Sequence, residues 1–209
     1  MKKKLSAPFL ILKSVFLVAL YAQLAEAATF NDPSWPCQQR KVEQLSLGLM
    51  WPYPLQEDQS GVAFPKDARD LAGHLGLRRL SLEEADRLVA AFVERHPDVT
   101  AQQMGGIFAA VFEQLGKARR NVITGIGRYS GKQIALAEKI DAARAEMDTL
   151  MAAKDPDFDK VDELEEQLDW DERVYRDRAQ SLTYVCETPV LIEKRLYALA
   201  KTLLKYTPE

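Results

Sequence analysis

The sequence predicts an all-α protein: a helical bundle with a long antiparallel helical hairpin over about 101–186 and an irregular Pro/Trp-rich N-terminal arm. Three observations carry this prediction. No segment alternates apolar and polar residues with the period of two that a half-buried strand needs. Two helix-opening signatures, Ser81 with Glu84 and Thr100 with Gln103, stand directly before helical stretches. From Ile126 to Leu150 the apolar residues advance by three and four, as in a heptad, and a second such run follows Pro156.

The chain opens MKKKLSAPFLILKSVFLVALYAQLAEAATF, with Lys2, Lys3 and Lys4, an apolar run and small residues at Ala25 and Ala27. This is the pattern of a secretory signal peptide over 1–27, cut after Ala27. Lys13 leaves the uncharged stretch too short to span a bilayer, so no stable membrane span is expected after cleavage. The remaining 182 residues suit one domain with an extension and carry 24 basic against 30 acidic residues, about −6. Phosphate affinity comes from clustered Lys and Arg, so a nucleic-acid partner is not expected. The expected location is the periplasm or the exterior.

Residues 28–65 form the arm. Pro33, Pro36, Pro52 and Pro54 prevent a continuous helix, since each lacks an N–H and restricts its predecessor. Trp35, Trp51 and Tyr53 either pack onto the helices behind them or present a Pro-aromatic surface to a partner. Cys37 and Cys186 are the only cysteines. In an oxidising compartment they most simply form one disulfide, the other outcome being two free thiols. The bond would tie the arm to the hairpin and close a loop of about 150 residues, with an upper bound of about 5 kcal/mol in the chain-entropy account.

The helical domain spans 66–209, with the hairpin over 117–186. In KDARDLAGHLGLRRL, Ala68, Leu71, Leu75 and Leu77 share one side, and Gly73 and Gly76 weaken the end. Ser81 opens a helix striped by Leu82, Ala85, Leu88, Val89 and Phe92, which Pro97 stops. Thr100 opens the next, which meets no clear terminator before Pro156. Its stripe runs through Ile126, Tyr129, Gln133, Leu136, Ile140, Ala143, Met147 and Leu150. The return arm carries Val161, Leu164, Leu168, Tyr175 and Leu182, with the polar Asp171 where another apolar residue would fit. A short connection between the arms makes an antiparallel hairpin. Pro189 predicts a kink or a fresh start capped by Thr188, with Val190, Leu191, Leu196, Leu199 and Leu203 packing inward.

Catalytic chemistry is sparse. The two histidines, His74 and His96, form no pair at ligand spacing, and His96 suits the C-terminus of a helix through its dipole. Gly125, Gly127 and Gly131 miss the dinucleotide spacing, and Ser130 lies outside a nucleophile elbow. With Gly105, Gly106 and Gly116 these glycines are read as sites of close helix packing or local flexibility. Arg119, Arg120 and Arg128 could pair across the hairpin with Asp169, Asp171 and Glu172. The pair Glu165 and Asp169 has no partner set that would make it catalytic.

The stretch DPDFDKVDELEE, residues 155–166, places Asp155, Asp157, Asp159, Val161, Glu163 and Glu166 at the ligand positions of a calcium loop. Over these twelve residues it resembles an EF-hand, and Pro156 in second place is similar to the loops of the lanthanide-binding lanmodulins. The resemblance implies calcium or lanthanide binding. Lys160 stands where the EF-hand turn needs Gly, and Asp162 where an apolar residue is usual. A helix start explains the same acids, with Asp155 or Asp157 as cap and Asp159, Asp162 and Glu163 offsetting the dipole.

The expected function is therefore an exported, non-enzymatic helical accessory or interaction protein without a cofactor. Its partner would be another envelope protein or a second copy bound through the hairpin. Two alternatives stand beside it: metal binding through Asp155–Glu166, and a hydrolytic enzyme whose acid residues the sequence does not identify.

Overall fold

The computed structural model describes Asp32, residues 34–55 and residues 65–208. The signal peptide expected over 1–27 and the arm segment 56–64 lie outside the described residues. Four helices and a single 3-10 turn at Leu47–Leu49 make up the regular structure among the described residues. Helix α1 is Lys66–Leu75, α2 is Leu82–Arg95, α3 is Ala101–Met151 and α4 is Phe158–Lys205.

Each start has a local cause. The Ser81 hydroxyl accepts the Glu84 backbone N–H at 3.1 Å and opens α2. At α3 the exchange is reciprocal: Thr100 Oγ1 accepts from the Gln103 N–H at 3.2 Å, and Gln103 Oε1 accepts from the Thr100 N–H at 2.9 Å. Asp157 Oδ1 accepts the Lys160 N–H at 3.1 Å and opens α4. His96 closes α2 at its C-terminal end, where it pairs with Asp67 of α1.

With 51 and 48 residues, α3 and α4 extend about 77 and about 72 Å. They pack antiparallel along their length, and their partners change along the way. At the base, α1 and α2 lean on the first third of α3 and the last third of α4. There Val89, Met104, Phe108, Val111, Leu196 and Leu199 are fully buried, and cutting one such Leu to Ala typically costs about 2–5 kcal/mol. In the middle, Ile126, Leu182 and Cys186 form a smaller cluster with Trp35 and Cys37 of the arm packed against it. Beyond that waist only two helices remain, joined by Ile140, Ala143, Leu164 and Leu168, with Leu136 and Met147 at the edge.

Pro189 corrects one expectation, because α4 runs through it without a fresh start. A proline in a helix interior removes one backbone bond and costs about 3 kcal/mol. Burial of Pro189 together with Ile192, Leu196, Leu199 and Leu203 on the same helix offsets that cost. The Gln39 side-chain amide donates to the Cys186 carbonyl in the turn before the proline. Leu82 and Leu191, expected inside, are exposed. Among the described residues no helix is long and apolar enough to cross a membrane.

Candidate functional site

The waist is where chemistry-bearing residues gather, because the arm crosses the hairpin there and is fixed at three points. The first is the Cys37–Cys186 disulfide, whose Cα atoms are 5.5 Å apart. The second is Gln39, which donates to the Cys186 carbonyl while its own carbonyl accepts the Trp35 indole N–H at 2.6 Å. The third is Arg119 of α3, which donates to the Val42 carbonyl at 2.6 Å.

Arg119 is only 4% exposed. Its guanidinium also approaches the Glu43 carbonyl at 3.4 Å and the Glu193 carboxylate of α4 at 3.7 Å. Burial lowers its pKa from the ordinary arginine value, and the Glu193 charge pulls the other way. The fork geometry lets one cation hold an arm carbonyl and an α4 carboxylate together. Its Nε is buried without a hydrogen-bond partner.

Between arm and hairpin lies a groove of about 570 Å³. Ile123, Pro189, Val190 and Tyr197 give it apolar walls, while Arg119, Glu193 and Lys194 supply charge. Its size falls in the range of small-ligand pockets, roughly 300–1,000 Å³.

The three aromatics singled out in the sequence do not come together. Trp51 is 2% exposed, stacks on Phe108 with ring centroids 5.3 Å apart, and belongs to the base core. It is a packing residue, since a buried indole has no face left for a partner. Tyr53 lies edge-on to it at 6.0 Å on the surface. Trp35 is half-buried at the waist and borders the groove. Two glycines have close neighbours: a Cβ on Gly105 would meet Leu55 and the Trp51 indole at 2.5 and 3.0 Å, and one on Gly76 would meet the Gln114 side chain. Around Gly125 and Gly131 there is open space, so close packing does not account for them.

The expected charge pairs are corrected. Arg119 pairs with Glu193, Arg120 with Glu113, Asp171 with Lys139 and Glu172 with Arg144. Helix register decides this, because Arg119 and Arg120 lie beside the last third of α4 while Asp169, Asp171 and Glu172 lie toward the tip.

Residues 155–166 start a helix. Asp157 caps it, the nine residues from Phe158 onward are helical, and Lys160 pairs with Glu163 at 2.9 Å. That hydrogen bond raises the Lys160 pKa above its ordinary value. Among the described residues no group of three or more His, Cys, Asp and Glu side chains is placed to hold a metal. Sequence reasoning missed Arg119 as the arm's anchor and Pro189, Val190 and Tyr197 as groove walls. The position of Pro189 three residues after Cys186 was the available signal.

Comparison with protein-family models, with curated proteins and with solved structures returns no match for this chain. The function is therefore read from the site itself.

Proposed function

We propose that the protein is an exported, non-enzymatic interaction module whose waist groove takes a segment of a partner protein. The observation that carries this is the groove itself: apolar walls from two helices, Pro189 among them, and charged groups at Arg119, Glu193 and Lys194. Such a surface suits an extended segment that places a bulky apolar side chain against Val190 and Tyr197 and a carboxylate near Lys194. A disulfide supports an oxidising compartment, as does the apolar leader pattern of the first 27 residues. The only buried carboxylate among the described residues, Asp171, pairs with Lys139, which favours a structural over a catalytic role for it.

The tip from Gln133 to Met151 is roughly 27 Å long. It supplies reach, while the groove supplies recognition. Tyr197→Asp, at an exposed position, should abolish co-purification of the partner while shifting stability by less than about 0.5 kcal/mol, and Val190→Thr, a milder change at a half-buried position, should weaken that co-purification. Equal recovery of the partner with both variants would overturn the proposal.

A further inference from the structure

We infer that the outer face of α4 is a self-association surface on which two copies of the chain pair antiparallel about a two-fold axis near Gln180 and Ser181. The inference rests on a different face of α4 from the groove. The side of α4 turned away from α3 carries Trp170, Asp177, Tyr184 and Leu191 at a spacing of seven. Trp170 is 63% exposed, Tyr184 70% and Leu191 55%. Seven residues are nearly two helical turns, so these side chains lie along one line, about 32 Å from end to end. A line of large exposed apolar side chains on one helix marks an interaction surface.

The charge distribution of the same helix says what covers it. From Phe158 to Glu172, α4 holds eight acidic residues and a single base, Lys160. From Val190 to Lys205 its outward bases are Lys194 and Lys201 against one acid, Glu193, since Arg195 donates to the Leu75 and Leu77 carbonyls and Lys205 to Asp86. A second α4 laid parallel would set acid on acid. Laid antiparallel, it sets the acidic half of each copy on the basic half of the other, so the chain is its own complement.

The heptad line closes in that register. Trp170 meets Leu191 of the second copy at both ends, and Asp177 meets Tyr184, whose phenol can donate to the carboxylate. Arg173 falls beside Glu187, adding a flanking ion pair on each side. Gln180 and Ser181 meet at the axis. The polar Asp177 in an apolar line thereby gains a partner and fixes the register, as single polar residues do between paired helices. With 48 residues in α4, a full-length contact about 10 Å wide covers on the order of 700 Å² per copy. Stable associations use about 800 Å² per partner. Val190 and Tyr197 lie about a third of a turn around the helix from Leu191, so pairing leaves those two groove walls open, with Lys194 between the two faces.

The test is sedimentation equilibrium of the disulfide-bonded protein. Between about 1 and 100 µM its mass should rise from one copy toward two, as mass action requires. Trp170→Glu combined with Leu191→Glu should hold it at one copy with an unchanged helical circular dichroism signal. Geometry is read separately by a short bismaleimide: Ser181→Cys should link to itself, and Trp170→Cys should link to Leu191→Cys but not to a second Trp170→Cys chain. A single-copy mass at about 100 µM would overturn the inference. So would a dimer indifferent to the double substitution, or self-linking at Trp170→Cys. Loss of the dimer leaves partner recovery by the groove intact, so the two readings fail independently.

Discussion

The Lys139 ammonium lies 2.9 Å from Oδ2 of Asp171, a carboxylate buried to 8% exposure between the two helices of the tip. The pair occupies the place in the α4 stripe where the apolar pattern lapses. It explains how a charge is tolerated there, since a paired buried charge is tolerated and an unpaired one is not. Lys139→Ala should destabilise the tip by about 1–2 kcal/mol, discounted because the lysine is itself half-exposed. Asp171→Leu, which continues the stripe, should be neutral or stabilising. Urea unfolding of the two variants checks the contrast.

Arg119 is the arm's anchor, and its removal should free the arm before it unfolds the hairpin. Arg119→Ala deletes the bond to the Val42 carbonyl and should cost about 2–3 kcal/mol. Cleavage by a protease within residues 38–50 should accelerate. Arg119→Lys should restore little, because an ammonium cannot span Val42 and Glu193 at once.

Reduction acts at the same place. Replacing Cys37 and Cys186 with Ser should lower stability by up to about 5 kcal/mol, the upper bound for so long a loop. Helical content by circular dichroism at 25 °C should change little, because the base core does not include the bond. Loss of most helix on reduction would contradict this division into base and waist.

At the far end of the base, Asp86 of α2 accepts from Lys205 at 3.1 Å and from the Tyr206 hydroxyl at 3.1 Å. The Lys205 hydrogen bond, aided by Tyr206 and opposed by desolvation, lowers the Asp86 pKa below the ordinary carboxylate value. A depressed folded-state pKa stabilises above the unfolded value, near 3.9, and the contribution fades as the pH falls through the folded value. The melting temperature of Asp86→Asn should therefore lie below that of the parent at neutral pH, and the difference should shrink below about pH 4. A difference that grows in acid would refute the assignment.

Most of the architecture was legible because helix signals are local. Ser81, Thr100 and Asp157 cap helices where the sequence places caps, and the heptad runs meet as an antiparallel pair. The Cys37–Cys186 link followed from there being two cysteines in a chain expected in an oxidising compartment, with two free thiols as the other outcome. What escaped was set by tertiary contact. Pro189 stays inside α4 because the core on both sides of it, and Gln39 beside it, offset the broken backbone bond. Leu191 points outward because the continuous helix carries its phase past the proline, where a restart would have reset it. Arg119 looked like one of several surface cations, and only the arm's crossing buries it. The groove combines residues 35–50, 119–123 and 189–197, a proximity no local pattern encodes.

The central claim is that the waist groove holds a partner's segment, and site-specific photo-crosslinking tests it most directly. Benzoylphenylalanine placed at Val190 or Tyr197 in the living cell should yield one discrete adduct, reduced by Arg119→Ala. The same probe at Ala135, on the exposed side of α3 in the tip and away from both proposed surfaces, should yield none. Equal labelling at all three positions, or no adduct at Val190 and Tyr197, would contradict the account.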